Sequence, residues 1–299
     1  MIRALPRILP SIVILLALGC NQDQGNRTAT NDRQIEIFGQ RIHYVEAGSG
    51  PAVVLLHGLG GDATNWQSTI PALAAAFHVY ALDQIGFGQS DKPLVNYRVQ
   101  TLVDFLDAFF TKAGIEKASL VGNSLGGWAA AAFTVAHPDK VEKLVLVDAA
   151  GYSPKRFNGP KFTREGLLWL NPSTLDGMRR VLDTAFYDKK LVTDQLVQQL
   201  FAGKLNSGNG YAVNAFIESI ARGEDYIDGI VKTIKVPPLV LWGREDQVTP
   251  LAEGEAFASD IPSSQQTIID RCGHVPQIEC PAATNDALTR FLAGTRPIP

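Results

Sequence analysis

Two patterns of hydrophobic and polar residues follow each other along the chain. Residues 35–45 alternate between apolar and polar side chains about a short turn, which predicts a β-hairpin. Further along, short runs of continuous apolar residues replace the alternation, and such runs are typical of strands buried on both faces. They stand at residues 53–56, 79–82, 119–122, 144–147 and 239–242. Helical patterns such as residues 102–113 separate them, so we predict an α/β fold with a mostly parallel central sheet flanked by helices.

The alternation of strand and helix patterns stops after residue 151 and resumes at 235. We therefore predict a core made of residues 35–151 and 235–296, with an inserted helical cap at 152–234. Large apolar side chains are frequent in this cap, and together they favour an apolar or weakly polar substrate. For each of them taken alone, packing inside the cap is the simpler expectation. Examples are Phe162, Trp169, Met178, Phe186 and Phe216.

The apolar run at 119–122 leads into a glycine-rich turn and then into an alanine-rich helical pattern. Gly122 and Gly126 remove the Cβ atoms that would clash where strand turns sharply into helix. Ser124 lies between them, and this setting predicts a nucleophile exposed above the sheet. The backbone N–H of Leu125 stands at the positive end of the helix dipole, where we expect it to stabilise an oxyanion.

Two other strand ends carry glycine-rich turns. The run at 53–56 ends in His-Gly-Leu-Gly-Gly, and we predict the Leu59 N–H as the second oxyanion donor. His57 is expected to position this loop. Asp83 follows the run at 79–82, and an aspartate before glycines is expected to hydrogen-bond its own turn rather than to act as the catalytic acid.

A serine nucleophile needs a base, and the base needs a buried carboxylate. Asp246 and His274 follow the last two strand patterns and supply both groups. Asp148, after the run at 144–147, is a rival acid. Asp246 is preferred because its loop leads directly to the strand that precedes His274. The remaining histidines near strand starts or a helix end are expected to be solvated: His43, His78 and His137.

Composition and charge exclude several classes of function. The 299 residues are 45% hydrophobic and can bury a sizeable core, and the net charge of −3 with no basic cluster argues against nucleic acid as a partner. Cys272 and Cys280 flank His274, and we expect two small buried thiols rather than a disulfide. Metal binding is not expected, because His274 is needed as the base, and the predicted chemistry requires no cofactor.

Residues 1–19 are predicted to be an export signal, because their arginine-flanked apolar run is too short for a permanent membrane span. The run ends in Leu-Gly-Cys and resembles a bacterial lipoprotein signal, which implies lipidation of Cys20. Residues 20–34 are polar and are predicted to form a flexible tether. The expected location is a membrane-anchored lipoprotein of a bacterial cell envelope, or otherwise the periplasm or the medium.

The motifs together resemble the α/β-hydrolase superfamily over residues 35–292. The Gly-Asn-Ser-Leu-Gly-Gly elbow at 122–127, Asp-Ala-Ala-Gly at 148–151 and Gly-His-Val-Pro-Gln-Ile-Glu at 273–279 look like bacterial lipolytic esterases related to monoacylglycerol lipases. This resemblance implies a serine carboxylesterase or lipase that hydrolyses apolar carboxylic esters through an acyl-enzyme. Monoacylglycerols are among the candidate substrates.

Two alternatives remain open. Carbon-carbon bond hydrolases of ring-cleavage diketones share the Gly-Asn-Ser elbow, but usually have a Ser-Gly-Pro-Gly oxyanion loop and an aromatic residue after the catalytic Gly-His. This chain has Leu-Gly-Gly at 59–61 and Val275 at those places. A ligand-binding member of the fold without turnover is the other alternative. Haloalkane dehalogenases and epoxide hydrolases carry aspartate at the elbow, so Ser124 argues against both.

Overall fold

A computed structural model of the chain describes residues 29–294. The predicted signal peptide at 1–19 and the predicted lipidation site Cys20 lie outside the described residues, so both stay predictions. Within the described part of the chain, no helix combines the length and the apolar composition that a membrane crossing requires.

One eight-stranded sheet forms the centre of the fold, with the strand order β1-β2-β4-β3-β5-β6-β7-β8. The first two strands and β4 pair antiparallel, whereas all the other neighbours are parallel. The predicted mostly parallel sheet is therefore confirmed. The strands are β1 (Thr30–Ile37), β2 (Gln40–Ala47), β3 (Ala52–Leu56), β4 (His78–Leu82), β5 (Ala118–Asn123), β6 (Val141–Val147), β7 (Pro238–Gly243) and β8 (Gln265–Ile269).

Helices connect the parallel strands and cover both faces of the sheet. They are α1 (Ile70–Ala74), α2 (Val99–Ala113), α3 (Leu125–Ala136), α4 (Arg164–Leu167), α5 (Leu175–Ala185), α6 (Asp194–Ser207), α7 (Gly210–Arg222), α8 (Leu251–Asp260), α9 (Pro276–Glu279) and α10 (Pro281–Ala293). Short 3-10 helices lie at Ala63–Trp66, Pro138–Lys140, Pro154–Phe157, Leu168–Leu170, Lys189–Leu191 and Val231–Thr233.

The predicted hairpin is formed by β1 and β2. Its turn residues Phe38 and Gly39 have φ values of 52° and 73°, the left-handed backbone that a two-residue hairpin turn needs. The tether predicted over residues 20–34 is too long, since Thr30 already pairs with Ala47. Backbone pairing along this edge strand outweighs the polar composition of residues 30–34.

Apolar side chains are buried on both faces of the sheet, which explains the continuous runs in the sequence. Along β3, Val54 packs on the face that carries α2 and α3, while Val53 and Leu55 pack on the face that carries α1 and α10. Because successive residues of a strand point to opposite faces, both sets must be apolar. The carboxyl ends of these strands then meet at one edge of the sheet, where the candidate site lies.

Helices α4–α7 lie between β6 and β7 and pack in two ways. Phe216 of α7 is fully buried in the main core and stacks on Phe87 with 5.8 Å between ring centroids. Side chains of α5 and α6 form a smaller core of their own, and Val248 and Val275 pack against it. Met178, Phe186 and Phe216 therefore fill the segment's own core or its contact with the sheet domain, as expected. For Phe162 and Trp169 the expectation is wrong, since both side chains are exposed.

Candidate active site

Ser124 lies in a tight turn between β5 and α3. Its φ of 54° is left-handed, a conformation that a side-chain-bearing residue adopts only when its surroundings enforce it. Its N–H donates to the Val147 carbonyl at 3.0 Å, and its own carbonyl accepts from the Ala150 N–H at 3.1 Å. These bonds attach the turn to the end of β6 and hold Ser124 at the edge of the sheet.

Glycines around Ser124 allow this turn to exist. A Cβ on Gly122 would lie 2.2 Å from the Gly126 carbonyl oxygen, and one on Gly126 would lie 2.3 Å from the Leu56 carbonyl oxygen. On Gly127 it would meet the Ala149 side chain at 2.4 Å. Such contacts are too close for carbon and oxygen, so α3 can approach the strands only where side chains are missing.

Asp246 and His274 form a buried pair. His274 Nδ1 lies 2.7 Å from Asp246 Oδ2, and the Thr249 hydroxyl donates to the same oxygen at 2.7 Å. The other carboxylate oxygen accepts from the N–H groups of Val248 at 2.7 Å and Thr249 at 3.0 Å. Burial alone would raise the pKa of Asp246, but the His274 imidazole and these hydrogen bonds outweigh it and lower that pKa. Asp246 is therefore a carboxylate that orients the imidazole.

Asn123 joins the serine turn to the histidine loop. Its side-chain amide donates to the Val147 and His274 carbonyl oxygens, each at 3.1 Å, and its oxygen accepts from Gln277 Nε2 at 3.1 Å. The hydrogen bonds of the described residues do not include one between Ser124 Oγ and His274, whose Nδ1 is bonded to Asp246. In free hydrolases this bond is often long and tightens when substrate binds. The role of Asn123 was not predicted, because it depends on two loops that are distant in sequence.

The loop after β3 passes beside the serine. A Cβ on Gly58 would lie 3.1 Å from Ser124 Cβ, and Gly60 has a left-handed φ of 78°. Leu59 stands between these glycines. Leu125 is the first residue of α3, where backbone N–H groups lack acceptors within the helix. The N–H groups of Leu59 and Leu125 stay the proposed oxyanion donors.

His57 is buried and holds two loops together. Its Nδ1 donates to the Gly58 carbonyl at 2.8 Å, and its Nε2 accepts from the Gln84 N–H at 3.1 Å. Burial lowers the pKa of His57, which favours the neutral ring that this pair of bonds requires. The geometry agrees with a positioning role.

Asp83 is a second structural centre. It accepts from the N–H groups of Ala63 at 2.7 Å and Gln89 at 2.6 Å, and His43 Nδ1 lies 2.8 Å from its Oδ2. The expectation of a solvated His43 is wrong, since the ring is 3% exposed. Its pairing with Asp83 and Asp32 offsets the cost of burying a polar ring, and this pairing could not be deduced from the strand pattern.

Asp148, the rival acid, lies close to the pair without bonding to the imidazole. Its Oδ1 accepts from the Gly243 N–H at 2.9 Å. The carboxyl groups of Asp148 and Asp246 and the nearest His274 nitrogen lie within 4.8 Å of one another. His274 Nδ1 is already bonded to Asp246, so two of these three potential metal ligands are engaged with each other.

Cys272 and Cys280 form a disulfide with their Cα atoms 6.3 Å apart. The expectation of two separate thiols is therefore wrong. The short helix α9 turns the chain back on itself after His274, and this brings together two cysteines whose spacing alone gave no such indication. The bond closes a loop that contains His274.

The helical segment between β6 and β7 also holds the histidine loop. The His274 N–H donates to the Ala185 carbonyl at 2.7 Å, at the end of α5. The Glu279 carboxylate accepts from the N–H groups of Gly273 at 2.7 Å, Tyr187 at 3.2 Å and Asp188 at 2.6 Å. The Glu279 side chain thus holds the backbone of the histidine loop against the backbone that follows α5.

Comparison with known families gives a clear assignment. A family model described as the alpha/beta hydrolase fold matches residues 51–281, a range that contains the serine turn, Asp246 and His274. The match thus includes the helical segment between β6 and β7 together with the strands on either side of it.

Individual relatives are similar over most of the chain. The 2-hydroxymuconate semialdehyde hydrolase of Pseudomonas sp. strain CF600 is 32% identical, over 87% of this chain and 93% of that protein. The solved meta-cleavage product hydrolase of Pseudomonas fluorescens IP01 is 33% identical, with a TM-score of 0.80, over 88% of this chain and 97% of that one. A solved bacterial membrane phospholipase A is 30% identical, with a TM-score of 0.77, over 90% of this chain and 87% of that one.

Glu253 in the first turn of α8 predicts how stability depends on pH. Burial, followed by the charges of Asp246 and Asp228, raises the pKa of Glu253 to about 8. The native state therefore keeps this proton to a higher pH than the unfolded chain does. The free energy of unfolding falls as pH rises from the ordinary glutamate pKa of 4.5 to about 8. We expect Glu253→Gln to be more stable than wild type at pH ~8, by roughly 1–3 kcal/mol, and to lose this advantage near pH ~5.

Thermal unfolding of both proteins at the two pH values measures this difference. Glu255→Gln is the matched control, because Glu255 is exposed on the same helix. A Glu253→Gln protein that gains no stability relative to wild type as pH rises would contradict the expectation.

Proposed function

The chain belongs to the α/β-hydrolase family, and we propose that it is a serine hydrolase whose nucleophile, base and acid are Ser124, His274 and Asp246. The observation that carries this proposal is the 2.7 Å bond between His274 Nδ1 and the Asp246 carboxylate. This carboxylate also accepts hydrogen bonds from the Val248 N–H, the Thr249 N–H and the Thr249 hydroxyl. Such a carboxylate keeps the proton on Nδ1, which leaves Nε2 free to act as a base. The strained serine turn supplies the nucleophile.

The reaction follows from these roles. His274 Nε2 takes the Ser124 hydroxyl proton while Oγ bonds to the substrate carbonyl carbon. The N–H groups of Leu59 and Leu125 stabilise the resulting oxyanion. The imidazolium then gives its proton to the leaving group as the bond to the carbonyl carbon breaks. His274 Nε2 then takes a proton from a water molecule that attacks the acyl carbonyl carbon, and it returns this proton to Ser124 Oγ as the acyl–oxygen bond breaks and the acid leaves.

The first candidate substrate is a ring-cleavage product whose carbon-carbon bond is hydrolysed beside a ketone. The relatives named as hydrolases of such products match this chain across the strands and the helical segment between β6 and β7. They favour this alternative over the carboxylic ester expected from the sequence motifs. Because products of this class carry a carboxylate, the site needs a cation.

Lys204 of α6 is a suitable cation. It is half-buried, and its Nζ contacts the neutral Asn171 Oδ1, with no carboxylate partner within residues 29–294. Asn171 in turn donates to the Gly210 carbonyl at 3.1 Å, and the neighbouring Asn209 donates to Gly60 in the loop after β3 at 3.4 Å. Burial lowers the pKa of Lys204, so the site gains when an anion accompanies its charge.

A carboxylic ester is the second candidate. Leu-Gly-Gly at 59–61 and Val275 after His274 fit the lipolytic esterases better than the ring-cleavage hydrolases. The similarity to a membrane phospholipase A supports the same choice. An apolar ester would not need Lys204. Substitution of this residue can therefore distinguish the two candidate substrates by experiment.

A fluorophosphonate probe tests the triad without knowledge of the substrate. We expect the probe to label Ser124, and Ser124→Ala, His274→Ala and Asp246→Asn to lower the labelling rate and turnover by about 10⁴-fold or more. Peptide mass spectrometry locates the label. Ser259→Ala is the matched control, since Ser259 is exposed on α8. Labelling of another serine, or full activity in His274→Ala, would reject the triad.

Lys204→Met distinguishes the substrates. If the substrate is an anionic ring-cleavage product, we expect KM to rise about 10–100-fold, with little change in the hydrolysis of neutral p-nitrophenyl esters. The matched control is Lys161→Met, an exposed lysine that precedes α4. Wild-type turnover of esters that far exceeds turnover of the diketone, with no effect of Lys204→Met, would favour the esterase.

We also propose that the chain is exported and anchored through a lipid on Cys20. The Cys272–Cys280 disulfide supports export, because such bonds persist in oxidising compartments. The mature protein should begin at Cys20, carry the mass of two or more acyl chains and sediment with membranes. Cys20→Ser should lose both the lipid mass and the membrane association. A mature chain that begins after Cys20 would exclude the anchor.

A further inference from the structure

Asp148 is a buried carboxyl group that the proposed mechanism does not use. It is fully buried, and only Oδ1 has a hydrogen-bond donor, the Gly243 N–H at 2.9 Å. Its Oδ2 is buried without a partner in the described part of the chain. A buried carboxylate oxygen without a hydrogen-bond donor costs folding free energy when the group is ionised.

The backbone fixes Asp148 in this place. Its φ of 43° is left-handed, its N–H donates to the Leu241 carbonyl at 3.0 Å, and its carbonyl oxygen lies 3.1 Å from the Thr249 hydroxyl oxygen. Thr249 also contacts both members of the His274–Asp246 pair. With the backbone held and Oδ1 bonded to the Gly243 N–H, the carboxyl group stays in the protein interior.

The two neighbouring carboxyl groups differ in their donors. Asp246 accepts from two backbone N–H groups, the Thr249 hydroxyl and the imidazole, whereas Asp148 accepts from one N–H. One oxygen of each carboxyl group lies within 4.8 Å of the other, so ionising both groups in this buried site is costly, and the proton stays on the one with fewer donors. Burial and the charge of Asp246 raise the pKa of Asp148, which agrees with this distribution.

We propose that Asp148 is a positioning residue that carries a proton at neutral pH and donates it through Oδ2 to the Asp246 carboxylate. This hydrogen bond satisfies the unpartnered oxygen and adds a donor to the acid of the relay. The bond holds Asp246 against His274 Nδ1. Because Asp148 is protonated, it adds no second negative charge beside the proposed base. The inference rests on the proposed serine-hydrolase function.

The other titratable groups near Asp148 do not change this distribution. His274 is bonded to Asp246, and the Glu279 carboxylate accepts three backbone N–H groups. The negative charge of Glu279 acts on Asp148 in the same direction as that of Asp246 and keeps the proton on it. A rise in pH that removed this proton would place two adjacent charges at the relay.

The charge state is tested independently of activity. We expect the infrared difference between wild type and Asp148→Asn at neutral pH to contain the carbonyl stretch of a protonated carboxylic acid that is lost in the variant. A difference that contains only carboxylate bands would overturn the proposal, whatever the enzyme hydrolyses.

The positioning role is tested by fluorophosphonate labelling of Ser124 as a function of pH. Asp148→Ala removes the donor, and we expect its labelling rate to fall about 10-fold or more. Asp148→Asn supplies an N–H donor in the same place, so it should recover most of that loss and keep the midpoint of the acid limb where wild type has it. The melting temperature of each variant controls for folding.

Two kinetic results would overturn the inference. A downward shift of the acid limb by about one pH unit in Asp148→Asn would mean that a negative charge had been removed. A folded Asp148→Ala with the wild-type rate would mean that the donor is not needed. Failure of the serine-hydrolase proposal looks different, because wild type itself would then not be labelled at Ser124.

Discussion

The left-handed turn at Ser124 is the constraint on which the rest of the site depends. A residue with a side chain pays on the order of 1–3 kcal/mol for such a backbone, so the surroundings must enforce it. The bonds from Ser124 to Val147 and Ala150 do so from the end of β6. Close packing of α3 against Leu56, possible only because Gly126 lacks a side chain, completes the enclosure. The strand order is therefore part of the catalytic geometry, because β5 needs both neighbours.

His274, the proposed base, is held in a different way, by contacts from several separate segments. The Ala185 carbonyl accepts the His274 N–H from the end of α5, and Asn123 donates to the His274 carbonyl from the serine turn. The Cys272–Cys280 disulfide closes the same loop. The segment between β6 and β7 therefore helps to hold His274 in place, through the Ala185 carbonyl. Substitutions in this segment must therefore preserve the backbone at Ala185, because its carbonyl accepts the His274 N–H.

Local patterns predicted what local forces determine. The continuous apolar runs identified the buried strands, and the glycines around Ser124 identified the sharp turn, because both signals lie within a few residues. Burial of His43, the Cys272–Cys280 disulfide and the network around Asn123 depend on residues that only the folded chain brings together. The first half of β1, residues 30–34, was assigned to the tether for the same reason, because these polar residues pair through the backbone. Asp148 was recognised only as a rival to Asp246, since its closeness to that residue follows from strand order.

The charge balance at the relay bears on the choice of substrate. An ester and a ring-cleavage diketone would require the same attack by the proposed nucleophile Ser124, but the diketone would also bring a carboxylate to the site. Asp246 already places one negative charge beside His274, and a second on Asp148 would raise the cost of admitting an anion. A protonated Asp148, as proposed, and Lys204, which has no carboxylate partner within residues 29–294, would together reduce that cost, whereas an apolar ester would gain from neither. Under the proposed function, the polar groups around the triad would therefore distinguish between reactions for which the triad itself is equally suited.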